Sequence, residues 1–188
     1  DIPNILTDTG VDIYHVPQNG IGLPDKKNCP FVITLHDIIP YKLPETVGPN
    51  YLKIFLEKMP GIIKLADAVI TVSEYSKQDI AETLGVPLNR IFVTHLAAEN
   101  IYYPMDRNTA KQLLQRKYGI DFDFILYLGG FSPRKNIKGL IEAYYKIYRK
   151  LSKPQKLVIV GKHGKSYDDY RQLVNKLGID DYVVFTGY

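Results

Sequence analysis

One stretch restricts the possible folds more than any other: Phe124 to Tyr148, FILYLGGFSPRKNIKGLIEAYYKIY. Phe124, Ile125, Leu126, Tyr127 and Leu128 form an uninterrupted apolar run, the pattern of a strand buried on both faces of a parallel sheet. Gly129 and Gly130 end it. From Ile137 a helical pattern begins, with Leu140, Ile141, Tyr144, Ile147 and Tyr148 returning at spacings of three and four. Asn136 stands where an N-cap belongs. A strand, a glycine turn and an amphipathic helix in that order predict an α/β protein built from parallel units.

The turn itself carries chemistry. Gly129 and Gly130 let the backbone come close to a ligand, and the helix start offers unpaired N–H groups and a positive dipole end. With Ser132, Arg134 and Lys135 beside them, the loop reads as a site for a dianionic diphosphate. The competing reading is an ordinary strand-to-helix turn with two solvated basic residues. The spacing matches neither a dinucleotide fingerprint nor a Walker A loop.

The same alternation runs through the chain. Asp12 to Pro17 and Phe31 to Leu35 are β-rich, Pro30 opens the second, and QNGIGLPDKKNC between them is a loop. His36 and Asp37 follow the second strand, where open α/β sheets line their ligand crevice; alternatively His36 merely ends the strand. Ile38 to Pro49 reads as a Pro-rich connection. Asn50 to Ala66 is helical in pattern, with Pro60-Gly61 expected to kink or split it. Lys53, Lys58 and Lys64 there suit either anionic lipid headgroups or, the commoner case, plain solvation.

Ala68 to Val72 is a third strand. Ser73 caps the next helix or lines the cleft, with capping the simpler account; Ser76 with Asp79 makes a second capping signature, and Gly85 closes the helix. Ile91 to Thr94 is a short strand, with His95 at its end. Tyr103 to Asn108 reads as a linker, and Thr109 to Tyr118 as a short basic helix closed by Gly119. Lys156 to Val160 is a strand followed by Gly161, Lys162, His163 and Gly164, again at a C-terminal end. Tyr167 to Leu177 is a helix stopped by Gly178, and Val183 to Phe185 is a strand running into Thr186, Gly187 and Tyr188. Seven strands in two groups result.

Composition excludes several classes. A content of 45% hydrophobic and 23% charged residues over 188 positions is globular material with a sizeable core. The net charge of +4 is spread rather than massed, which argues against nucleic acid. The single cysteine, Cys29, excludes an internal disulfide and a Cys-based zinc site and suits a reducing compartment. Four histidines without helical spacing to further ligands give no metal centre. There is no apolar run long enough for a transmembrane helix and no signal peptide pattern, so a cytoplasmic location is expected. A start without Met and a stop on a strand read like a piece of something longer.

Four segments, in order, resemble glycosyltransferase family 4, retaining nucleotide-sugar enzymes of the GT-B fold with two Rossmann-like domains: HDIIPYKLPE, ADAVITVSEYSKQDI, LYLGGFSPRKNIKGLIEAY and VVFTG. The resemblance implies that residues 1–103 are the C-terminal part of the acceptor-side domain and 104–188 the N-terminal part of the donor-nucleotide domain. It implies that Lys135, with Arg134, Gly129 and Gly130, holds the donor diphosphate, and that catalytic His36 faces the donor sugar. Asp37, Ser73 and Gly161 are possible cleft residues. Two departures stand out: Gly130 occupies a position where the family often has Arg, and His95 to Glu99 replaces its usual Pro-Asn-Gly-acidic segment.

The implied function is transfer of a sugar to a hydroxyl of a glycan or lipid-linked acceptor, without metal or cofactor, with possible weak peripheral contact at the inner membrane face. HDIIP and SPRKN are similar to bacterial mannosyltransferases of surface polysaccharide, which points first to GDP-mannose and second to UDP-glucose. The family's Glu-x7-Glu pair would follow the strand at Val183, so this piece alone is expected to be inactive. The alternatives are a non-catalytic α/β module that binds a nucleotide or phosphate, and a partner-docking scaffold.

Overall fold

A computed structural model describes residues 2–162, 164 and 166–187. The chain divides into two compact units, one up to Ile101 and one from Tyr102 onward.

The first unit opens with a helix absent from the sequence expectations, α1 (Ile2–Thr9). Strands β1 (Tyr14–Val16), β2 (Phe31–Thr34), β3 (Ala68–Thr71) and β4 (Ile91–Val93) form a parallel sheet in the order β1-β2-β3-β4. Between β2 and β3 lie α2 (Ile39–Lys42) and α3 (Pro49–Leu65); α4 (Glu74–Leu84) joins β3 to β4. Sequential order with right-handed crossovers places the connecting helices on one face. Phe55, Met59 and Ile62 of α3 and Ile80 of α4 pack there against Ile33, Val69 and Ile91. Gly20, at φ 66°, passes so close to this core that an added Cβ would lie 2.5 Å from Ile62 Cγ2.

Two expectations change here. The connection from Ile38 to Pro49 is not irregular: it holds α2 and a 3₁₀ turn over Pro44–Thr46. The Asp37 carboxylate accepts from the Ile39 N–H at 3.0 Å and so initiates α2 locally. Pro60-Gly61 does not split α3, which runs unbroken through both. Pro60 sits on the exposed side, and Leu56, whose carbonyl it leaves without its helical N–H partner, is exposed too.

The second unit contains α5 (Arg107–Tyr118), β5 (Phe124–Leu128), α6 (Ile137–Ile147), β6 (Lys156–Val160), α7 (Tyr167–Leu177) and β7 (Val183–Gly187). Its three strands are parallel in the order β5-β6-β7. The core joins Ile137, Ile141 and Tyr144 of α6 and Val174 of α7 to Leu157 and Ile159 of β6. The expectation that β5 is buried on both faces is wrong for this chain: Leu126 is 56% and Leu128 73% exposed. The cause is topological. Both crossovers advance in one direction, so α6 and α7 share a face, and only Ile125 and Tyr127 of β5 pack against their core.

At the N-terminal ends of β2 and β3, Asp67 acts as a clamp. Its carboxylate accepts from Phe31 N–H at 2.8 Å and from the Lys27 ammonium at 2.6 Å, while its own N–H donates to the Phe31 carbonyl at 2.8 Å. The Lys27 hydrogen bond, with Phe31 N–H and the charges of Lys27 and Arg90 assisting against partial burial, holds its pKa below the ordinary value. A lowered folded pKa contributes stability above the unfolded value of about 3.9, lost as pH falls through the folded value. Urea unfolding across acid pH should therefore show Asp67→Asn less stable than wild type near neutrality, with the gap closing as the carboxylate protonates.

Candidate functional site

In a parallel sheet all C-terminal strand ends lie at one edge, and both clusters of candidate residues fall at such an edge within their own unit. In the second unit the loop Gly129–Asn136 leaves β5 through a 3₁₀ turn, Pro133–Lys135. Three contacts hold its backbone. Gly129 N–H donates to the Val160 carbonyl at 3.0 Å, extending the ladder by one bond. The Tyr127 hydroxyl donates to the Gly130 carbonyl at 3.0 Å, and burial raises that phenol's pKa. Phe131, 4% exposed, inserts into an aromatic cluster with Tyr167, Tyr170 and Phe185 at centroid distances of 5.7, 6.1 and 6.3 Å.

Phe131 is the residue sequence reading passed over. Its signal was an apolar side chain in an otherwise polar loop, between two glycines and a proline that drew the attention. With Phe131 anchored, the flanking groups face outward. Gly130, Arg134 and Lys135 are exposed, and neither cation pairs with a carboxylate among the described residues. A Cβ at Gly130 would meet nothing within 4 Å, which leaves room for a ligand against the backbone. The Ser132 hydroxyl oxygen is buried with no hydrogen-bond partner among the described residues. Such an orphan costs about 1–3 kcal/mol unless a bound group or water satisfies it.

Asn136 caps α6 as expected, its Oδ1 accepting from Gly139 N–H at 3.2 Å, but in a left-handed conformation with φ 52°. The N–H groups of Lys135 and Asn136 are already bonded to the Ser132 and Pro133 carbonyls. The amides left for an anion are therefore fewer than a bare helix start would offer. Gly161 is buried, and a Cβ there would overlap the Gly129 carbonyl oxygen, so close packing of two strand ends already requires glycine. His163, in the loop after β6, lies outside the described residues.

In the first unit His36 follows β2. Its N–H donates to Asn19 Oδ1 at 3.3 Å, and its Nε2 donates to the Pro17 carbonyl at 3.2 Å, which leaves Nδ1 as the ring nitrogen not engaged by this contact. Asn19 is the second residue missed. It sits at φ 53°, its N–H bonds the Thr34 carbonyl at 2.8 Å and its amide donates to the Tyr51 hydroxyl at 2.8 Å. The Asn-Gly pair within a segment read only as a loop was its signal.

Ser73 caps α4: its Oγ accepts from Ser76 N–H at 3.0 Å and its O–H donates to Ser76 Oγ at 3.0 Å. The Ser76–Asp79 pair is not a second cap. Ser76 is the third residue of the helix, the one whose N–H is capped, and Asp79 instead pairs with Lys42. His95 is exposed with Nδ1 3.4 Å from the Val72 carbonyl. No group of three or more metal-ligating side chains occurs among the described residues, and none of their helices is long and apolar enough to cross a membrane. A cavity of about 440 Å³ lies between α5 and the N-terminal end of β5, the edge away from the loop, and has no part in this site.

Comparison with known proteins follows the same division. The profile of Glycosyltransferase Family 4 matches residues 1–98, and that of Glycosyl transferases group 1 matches residues 111–188. O-antigen chain mannosyltransferase B of Escherichia coli is 29% identical over 177 residues, covering 94% of this chain and 45% of its own. The serotype-specific mannosyltransferase WbdA of the same species is 27% identical, over 94% of this chain and 22% of its own. The chain thus spans less than half the length of these relatives. Among solved structures, Anabaena Alr3699/HepE in complex with UDP and glucose gives a TM-score of 0.71 at 20% identity, covering 100% of this chain and 50% of its own. WaaG, a glycosyltransferase involved in lipopolysaccharide biosynthesis, gives 0.65 at 17%, covering 99% and 51%. These likenesses show the GT-B fold.

The left-handed cap makes a sharp test of the loop. Asn136→Ala removes the Gly139 bond and puts a residue that disfavours φ 52° at the hinge of loop and helix. It should cost about 2 kcal/mol in denaturant unfolding, whereas Asn136→Gly, free of the conformational cost, should stay within about 0.5 kcal/mol of wild type.

Proposed function

Because this chain belongs to glycosyltransferase family 4, we propose that it is the central part of a longer retaining transferase that moves a sugar from a nucleoside-diphosphate donor to a hydroxyl of a glycan acceptor. The observation that carries the reading is the β5–α6 loop: two cations without carboxylate partners and a buried hydroxyl without a hydrogen-bond partner among the described residues, and an open glycine, held by the Phe131 anchor. The bond from the anomeric carbon to the diphosphate breaks with its electron pair going to the departing oxygen, while the acceptor oxygen bonds that carbon and its proton leaves with the diphosphate, so negative charge grows on the leaving group in the transition state. Lys135 and Arg134 stabilise that charge, and Ser132 and the Gly130 backbone supply short-range polar contacts. In a site with little water such groups are worth a few kcal/mol each, more in the transition state than in the bound donor.

His36 acts on the sugar rather than the phosphate. With Nε2 committed to Pro17, its ring is oriented, and Nδ1 is the atom presented to a donor hydroxyl. Mannose is the proposed sugar and GDP its carrier, supported by the names of the curated relatives; UDP-glucose is the second choice, supported by UDP and glucose in the Anabaena structure. The product belongs to polysaccharide biosynthesis, on the cytoplasmic side, and no metal or cofactor takes part.

Transfer of radiolabelled mannose from GDP-mannose by the longer protein tests this. Lys135→Ala should lower kcat by about a hundredfold. His36→Ala should lower kcat more than it raises the donor KM. A protein that binds GDP-mannose but turns none over would instead be a nucleotide-binding module.

A further inference from the structure

Tyr51 stands in the first turn of α3 and belongs to none of the strand-end loops, yet its hydroxyl reaches one. The ring is 40% exposed but supported from below. It lies tilted against Phe55, one turn further along α3, at a centroid distance of 5.7 Å. Phe55 is itself fully buried and meets Tyr41 in an edge contact at 6.0 Å. Held in this way, the Tyr51 hydroxyl is 2.8 Å from Asn19 Nδ2. Chemistry settles the direction of that bond. The His36 backbone N–H can only donate, so it faces Asn19 Oδ1; the amide NH₂ is the end that points to Tyr51, and the hydroxyl accepts.

Asn19 thereby joins a helix to the residue that follows β2 in the ligand-facing loop. Its own N–H donates to the Thr34 carbonyl at 2.8 Å, and its φ of 53° lies in the left-handed region that asparagine tolerates. Two residues earlier, the Pro17 carbonyl accepts from His36 Nε2 at 3.2 Å. Residues 17–19 therefore grip His36 twice, at its backbone through Asn19 and at its ring through Pro17. A shift of this segment moves both contacts together. The Thr34 bond fixes the Asn19 backbone, while the Tyr51 hydroxyl fixes the side chain that carries the His36 contact. At 3.3 Å the Asn19–His36 bond is the longest of these and depends most on the amide being held.

We propose that Tyr51 and Asn19 are positioning residues for His36: the hydroxyl holds the amide, the amide holds the His36 backbone, and the ring is thereby kept with Nε2 on Pro17 and Nδ1 free. The part that His36 plays in transfer rests on the transferase reading; the hold on its ring does not. Neither residue is assigned a contact with the sugar, so their loss changes how often the ring is aimed rather than how tightly the donor binds.

The test uses Tyr51→Phe, Asn19→Gly and their combination in the longer protein. Phenylalanine keeps the ring on Phe55, and glycine keeps the left-handed backbone. With GDP-mannose, Tyr51→Phe should lower kcat about tenfold while the donor KM stays within about twofold of wild type. Asn19→Gly should lower kcat at least as far. The double variant should be no slower than Asn19→Gly, because the hydroxyl acts only through the amide. Nitrogen NMR of the imidazole rings, with His36 identified by its absence in His36→Ala, supplies a readout independent of turnover. The wild type should carry the proton on Nε2, and Tyr51→Phe should move the two ring-nitrogen shifts toward each other. An unchanged kcat or an unchanged ring spectrum in Tyr51→Phe, a loss confined to KM, or additive losses in the double variant overturn the proposal. If the wild type transfers no sugar, the transferase reading falls and the ring spectra alone decide: shifts that move in Tyr51→Phe keep the clamp, and shifts that stay remove it.

Discussion

Parallel pairing with right-handed crossovers governs everything else in this chain. It sends all C-terminal strand ends in each unit to one edge, where the loops that leave them gather. His36 and Asp37 follow β2, Ser73 follows β3, Gly129 to Lys135 follow β5 and Gly161 follows β6. The opposite edge is used for structure. Asp67 ties β2 to β3 there, and the guanidinium of Arg90 donates to the Ala66 and Asp67 carbonyls. Chemistry and anchoring are thus separated by the length of a strand.

What turns such an edge into a site is the loss of freedom in its loops. The β5–α6 loop contains two glycines and a proline, and left to itself it would sample many conformations. Phe131 ends that freedom by inserting into the core, Tyr127 reaches up from the strand below, and Asn136 turns the backbone left-handed into the helix. Cations presented by a rigid loop need not be reorganised when charge develops, and that is the source of electrostatic catalysis. The same logic operates at His36, whose position follows from Asn19 and its bonds to Thr34 and Tyr51.

The elements with a strong period were legible in the residues: the seven strands and the helices α3 to α7 follow from apolar spacing, caps and closing glycines. What was not legible depended on partners far away in sequence. The run Phe124–Leu128 has five apolar residues, and no local rule says that only Ile125 and Tyr127 will find the α6 and α7 core; strand order decides that. The Pro60-Gly61 pair carries a strong breaker signal, overruled because Phe55, Met59 and Ile62 bury one continuous face. Phe131 and Asn19 escaped because their roles lie in what they hold rather than in what they present. Lys135 and His36 could be singled out from the residues as strand-end candidates, while the groups that hold their loops could not.

The two units also differ in what their edges can attract. At the β5–α6 loop two cations stand without carboxylate partners among the described residues, a local excess of positive charge suited to a polyanion. At the β2–β3 edge Asp37 and Asp79 outnumber Lys42, an excess of the other sign. Glycosyl transfer brings together one polyanion and one neutral polyol, and their correct placement is a problem of discrimination as much as affinity. A negative pocket repels a polyanion, and a hydrated cationic loop has little to offer a molecule that lacks charge. A chain of modest overall charge acquires two edges of opposite local charge only by distributing its ions unevenly.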